Sequence, residues 1–97
     1  MATKSKYVIV RTYSAGVFAG TFVKRTGQEV ILKDVRRLWY WKGAMSLSEL
    51  AVNGTTDPNS CKFGVPVSQI EVLQAIEILD VTKQGEASIK GVQIWKQ

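Results

Sequence analysis

Histidine is absent from this chain, cysteine occurs once and proline twice among 97 residues. Without an imidazole there is no usual base for a nucleophilic triad, no usual proton shuttle and no example of the commonest metal ligand. The single cysteine, Cys61, permits neither an internal disulfide nor a cysteine-rich metal site. Lys62 beside it favours the thiolate, but no histidine completes a catalytic pair. The acidic residues Asp57, Glu71, Glu77, Asp80 and Glu86 are scattered. They show none of the paired spacing that glycosidase or metal chemistry needs. No stretch approaches the ~18 apolar residues of a membrane span. The basic opening, Met1 to Lys6, leads into an apolar run too short for the core of a signal peptide. The expectation is a cytoplasmic protein with no membrane attachment, no catalytic residue, no metal and no cofactor.

What is present fits one small folded domain over residues 1–97. The hydrophobic fraction is 45% and the charged fraction 22%, both ordinary for a folded chain. A core this small is thin, and self-association is a natural way to bury more area. The charge is uneven. Residues 1–42 carry nine Lys/Arg against Glu29 and Asp34, a net of +7, while residues 43–97 carry four against six, a net of −2. A basic half favours an anionic partner, although solubility alone also explains such charge.

The pattern along the chain is mostly that of strands. Residues 7–12 are β-branched and aromatic, and Tyr13 to Gly16 reads as a turn. A second strand covers Gly16 to Lys24, with Phe18 and Phe22 on one face and Gly20 marking a bend or close approach. Arg25 to Gln28 is a hairpin turn. A third strand runs from Glu29 to Leu32, a bulge is expected at Lys33–Asp34, and strand resumes from Val35 to Trp41. Ser46 to Gly54 reads as a short helix, capped by Ser46 with Glu49 and stopped by Asn53–Gly54. Thr55 to Pro66 reads as a polar loop. Residues 69–81 alternate with period two and predict one long, bent strand, although Val72, Ile76 and Leu79 also suit a helical face. Residues 82–90 suggest a second short helix despite Gly85. Val92 to Trp95 reads as a short strand or docked tail. The expected fold is mainly β with one or two short helices.

The densest chemical cluster is Arg36-Arg37-Leu38-Trp39-Tyr40-Trp41-Lys42. In a strand Arg37, Trp39 and Trp41 share one face, and Arg36, Leu38, Tyr40 and Lys42 the other. A guanidinium beside two indoles suits a base stacked on an aromatic ring with its phosphate on arginine. The same residues equally suit a core or a subunit interface. A second candidate is the turn after Arg11, where Tyr13 offers a stacking face, Ser14 a hydroxyl and Gly16 room for backbone amides to meet an anion. An ordinary turn with Tyr13 capping the end of the sheet explains it as well. Lys24, Arg25 and Lys33 flank the first hairpin and suit either a phosphate backbone or a solvated edge.

Two resemblances follow from these residues. The order of strands and turns over residues 7–42 resembles the opening of an Sm-like barrel, with the helix at 46–53 as an insertion after the third and fourth strands. The words YVIVRTYSAGVFAG (Tyr7–Gly20), EVILKDVRRLWYWKGA (Glu29–Ala44), SLSELAVNG (Ser46–Gly54) and AIEILDVT (Ala75–Thr82) resemble a family of small, uncharacterised bacteriophage and prophage proteins. The second resemblance implies a setting in the host cytoplasm rather than a mechanism. Small non-enzymatic phage proteins often sequester immune-signalling nucleotides in symmetric oligomers, or bind a host protein.

The leading expectation is a homo-oligomeric, non-enzymatic sponge for a nucleotide or other phosphorylated small molecule. Trp39, Trp41, Tyr13 or Tyr40 would stack on it, and Arg11, Arg36 or Arg37 would pair with phosphate. One rival is an Sm-like binder of single-stranded nucleic acid. The other is an inhibitor that grips a host protein through the Trp39/Trp41 face.

Overall fold

A computed structural model describes residues 6–95 of the chain; the basic residues 1–5 of the opening lie outside the described residues. Three strands form an antiparallel meander: β1 (Tyr7–Thr12), β2 (Val17–Thr26) and β3 (Glu29–Tyr40). After β3 come helix α1 (Leu47–Asn53), a 3-10 turn (Pro58–Ser60) and the two-residue strand β4 (Lys62–Phe63). Strands β5 (Val67–Val72) and β6 (Ala75–Asp80) follow, then helix α2 (Lys83–Gly91). The fold is mainly β, with short helices inserted after the meander, as the sequence pattern implies.

Topology makes the sheet curl. β5 pairs with the outer edge of β3, and β6 with the outer edge of β1. Only Leu73 and Gln74 separate β5 from β6, so the two edges of the meander are drawn together. The curl encloses an inner layer of Val8, Val10, Phe18, Val30, Leu32, Val35, Val72 and Ala75. No ladder joins β5 to β6 among the described residues, so hydrogen bonds do not close the Sm-like barrel expected from residues 7–42.

The convex side of the sheet is covered as well. Tyr7, Ile9, Ala19 and Leu38 pack there against Leu50 and Ala51 of α1, Ile89 of α2, and Cys61, Phe63 and Val92. Phe63, Ile9, Leu50 and Ile89 are fully buried, each contributing about 1.5–3 kcal/mol of transfer free energy. β1 is thus apolar on both faces, which explains its unbroken Tyr-Val-Ile-Val run.

Local chemistry sets the element ends. Ser46 Oγ accepts from Glu49 N, and the Glu49 carboxylate accepts from Met45 N, one residue before the cap. Gly54 closes α1 with φ 78° and donates to Leu50 O. Thr82 caps α2 by accepting from Gly85 N. The bulge expected at Lys33–Asp34 is present: Ala19 faces Arg36 but Thr21 faces Lys33, and Asp34 takes φ 51°. Gly20 lies opposite, where a Cβ would come 3.0 Å from Lys33 O. This close approach accounts for a glycine in mid-strand.

Several boundaries differ from the sequence reading. The two segments around the bulge are one strand that ends at Tyr40 rather than Trp41. Residues 69–81 are two strands and not one, because the chain reverses at Leu73–Gln74. The loop over 55–66 contains the 3-10 turn and β4. Ile94 docks in a parallel bridge to Phe63, so the segment after Val92 is a docked tail.

Candidate functional site

Alternation along β3 sorts the aromatic-basic cluster onto two sides of the sheet. Arg36 and Leu38 face the convex layer, whereas Arg37 and Trp39 face the concave one. Arg36 is only 3% exposed. Its Nε donates to Gly64 O at 2.9 Å, Nη1 to Ile89 O and Val92 O at 2.8 and 2.7 Å, and Nη2 to Phe63 O and Gln93 O at 3.4 and 3.3 Å. All five guanidinium donors are engaged, which leaves none for a phosphate. Arg36 therefore leaves the set of ligand-pairing residues and acts as a clamp between β4, the end of α2 and the tail. Burial lowers its pKa from the ordinary arginine value.

Trp41 also changes role. Since β3 ends at Tyr40, Trp41 drops out of the strand alternation and packs, partly buried, against the convex layer. The expected platform of two indoles does not form. Tyr40 is half exposed and lies opposite Lys62 in the β3–β4 ladder.

Arg37 and Trp39 remain together. The Arg37 guanidinium carbon lies 4.8 Å from the centre of the Phe18 ring and 5.5 Å from that of Trp39. Arg37 faces Phe18 directly in the β2–β3 ladder. Its Nε is buried without a hydrogen-bond partner, and among the described residues it makes no ion pair. Trp39 is 58% exposed. Beside them opens a cleft of about 350 Å³, lined by Ala15, Phe18, Arg37, Ile70 and Val72, with Leu73 and Gln74 at the rim. Glu71 also borders it, but Ile70 and Val72 on either side belong to the inner layer. Alternation therefore sends the Glu71 side chain to the opposite face, away from Arg37.

The Tyr13–Gly16 turn forms the upper edge of this cleft and is tied to its rim. Tyr13 N donates to Gln74 O at 3.0 Å and Ser14 Oγ to Gln74 Oε1 at 3.2 Å. Thr12 Oγ1 donates to Gly16 O and accepts from Ala15 N, and Gly16 holds φ 106°. Two of the turn's four amides, those of Tyr13 and Ala15, are thus already engaged. Tyr13 is 79% exposed. Arg11 is paired with Glu77 at 2.9 Å. Of the expected phosphate partners only Arg37 is both unpaired and beside a cleft. The cleft residues Phe18, Ile70, Leu73 and Gln74 were missed as site residues, because their approach depends on strand register and on an unsignalled turn. Cys61 is buried at the end of the inserted segment, with Sγ 3.5 Å from Lys42 O.

Together these features describe a small mainly-β domain with a shallow aromatic-arginine cleft and no cluster of potential metal ligands among the described residues. The chain belongs to the family described as a domain of unknown function, DUF6948, whose model matches residues 5–89. No curated protein and no solved structure matches it. Among the described residues no helix is long and apolar enough to cross a membrane.

Proposed function

We propose that this is a non-enzymatic binding protein of phage type that sequesters a nucleotide-like anion in the host cytoplasm, acting as a homo-oligomer. The observation that carries this reading is Arg37. Its guanidinium lies over two aromatic rings, with a buried and unpartnered Nε, at the wall of a cleft. An unpartnered buried donor is costly, about 1–3 kcal/mol, and among the described residues the guanidinium's outer Nη groups also have no hydrogen-bond partner, so they are the donors an anion would meet. Trp39, beside Arg37, and Tyr13, in the turn bonded to Gln74, would supply stacking faces next to the cleft rather than in its lining. The volume of 350 Å³ lies at the low end of ligand pockets, roughly 300–1,000 Å³. It suits one base or one phosphorylated sugar per chain, and a larger ligand would need a second subunit.

Native mass spectrometry beside the denatured mass tests this reading. A multimer carrying nucleotide-sized mass that is released on denaturation is expected. Trp39→Ala should weaken binding by about 1–3 kcal/mol, and Arg37→Ala at least as much. Affinity that rises with strand length and falls steeply with salt would instead identify a single-stranded nucleic-acid binder. A multimer that stays empty across a panel of cyclic and linear nucleotides would overturn the sponge reading.

One observation favours a second reading, docking to a host protein. Trp39, Tyr13 and Leu73, at 61% exposed, leave substantial apolar area uncovered around Arg37. Tryptophan, tyrosine and arginine dominate interface hot spots. A stable complex from host lysate that is lost in Trp39→Ala, with no small molecule bound, would support it.

A further inference from the structure

We infer a second ligand site, for a phosphorylated sugar, in the groove between β4 and the C-terminal tail. The inference is independent of the Arg37 cleft. The groove is about 620 Å³, with Asn59, Ser60 and Lys62 on one wall and Gln93, Ile94 and Trp95 on the other. Lys62 Nζ sits 5.3 Å from the centre of the Trp95 ring. Among the described residues it has no acidic partner, and no acidic side chain lines the groove.

The walls are fixed by the buried arginine beneath them. Arg36 holds Phe63 O and Gly64 O on one side, and Val92 O and Gln93 O on the other. Trp95 N adds a bond to Phe63 O at 2.9 Å, and Ile94 bridges Phe63. A guanidinium spending every donor on backbone carbonyls gives the two chain segments one spacing. A preformed groove avoids much of the ordering cost of binding.

The lining matches one ligand chemistry. An ammonium takes a phosphate as a point charge. The face of an indole packs against the C–H face of a sugar ring or against a base. The Asn59 and Gln93 amides and the Ser60 hydroxyl both donate and accept, which suits sugar hydroxyls. The groove offers one strong cation and several neutral bifunctional groups, so a sugar monophosphate fits better than a bare polyanion. The source is either the free sugar phosphate or a nucleoside monophosphate.

The test is a titration of ¹⁵N-labelled protein carrying Arg37→Ala, which disables the other cleft. Ribose 5-phosphate, a nucleoside monophosphate, ribose and inorganic phosphate are compared. Ribose 5-phosphate should shift the Trp95 indole N–H and the Asn59 and Gln93 side-chain amides, and should bind more tightly than ribose or phosphate alone. Lys62→Ala should weaken it roughly ten- to hundredfold, and Lys62→Arg should retain it. A stronger response to the nucleoside monophosphate makes the nucleotide the source. An equal response makes it the free sugar phosphate. Absence of shifts at Trp95, equal shifts with phosphate alone, or an unchanged affinity in Lys62→Ala each overturns the site. None of these results bears on Arg37, whose cleft is scored separately in the Lys62→Ala protein.

Discussion

Two polar side chains carry unusual weight in the convex layer. Tyr7 is almost fully buried and its hydroxyl has no hydrogen-bond partner. Desolvation raises its pKa from 10.0 to about 12, a shift that Arg36 partly opposes. Because the folded value lies above the unfolded one, the neutral phenol's contribution is fully present below pH 10 and is lost as pH climbs toward about 12. Chemical denaturation across that window should show stability falling with pH. Tyr7→Phe should remove this part of the slope and stabilise the protein at neutral pH by about 1 kcal/mol, since it deletes an unsatisfied buried hydroxyl. Arg36→Met should do the reverse. Five carbonyl contacts lose their donor, and a loss above about 3 kcal/mol is expected in denaturant unfolding. The arginine pair also shows how far the sequence could go. Alternation separated Arg36 from Arg37 correctly. It did not say which face two helices would cover, since that depends on where α1 and α2 dock. Trp41 was misplaced because nothing in the sequence showed that the strand stops one residue earlier.

At the scale of elements, a close backbone approach explains Gly85 as it does Gly20. Gly85 lies in the first turn of α2, where a Cβ would run into the backbone carbonyl of Ala51 in α1. Alanine is the better helix former by about 1 kcal/mol, yet Gly85→Ala must push the helices apart. The steric effect wins, and a net destabilisation of about 1–3 kcal/mol is expected from thermal unfolding. The β3 bulge presents the opposite case. Asp34 is exposed and holds φ 51°, a region that glycine enters without the steric cost of a Cβ. Asp34→Gly should be neutral or stabilising by up to about 1 kcal/mol, and Asp34→Val clearly destabilising, in the same assay. The bulge was legible because alternation falters at Lys33–Asp34. The β5–β6 reversal was not. Leu73 and Gln74 carry no turn chemistry, and even-numbered apolar residues continue on both sides of them, so period two ran straight through the corner.

For the whole molecule, the curl of the sheet follows from one short connection, and so does the place of the cleft. Drawing β5 and β6 together brings Leu73 and Gln74 against the Tyr13–Gly16 turn and Arg37. Sequence alone suggested a small Sm-like barrel, and gave no sign that β5 and β6 would leave it unclosed. The cleft end of the sheet holds Trp39, Tyr13 and Leu73, all largely exposed, in a chain whose core is small for its surface. If the proposed oligomer covers this end, folding and association are coupled. The thermal midpoint should then rise with protein concentration over a roughly hundredfold range. Trp39→Ala should abolish that rise while leaving the midpoint at the lowest concentration unchanged, because the indole contributes little to a monomer in which it is mostly solvated. A midpoint flat across the range in the native protein would assign the Arg37 cleft to a single chain, and Trp39 would then be a contact for ligand or partner only.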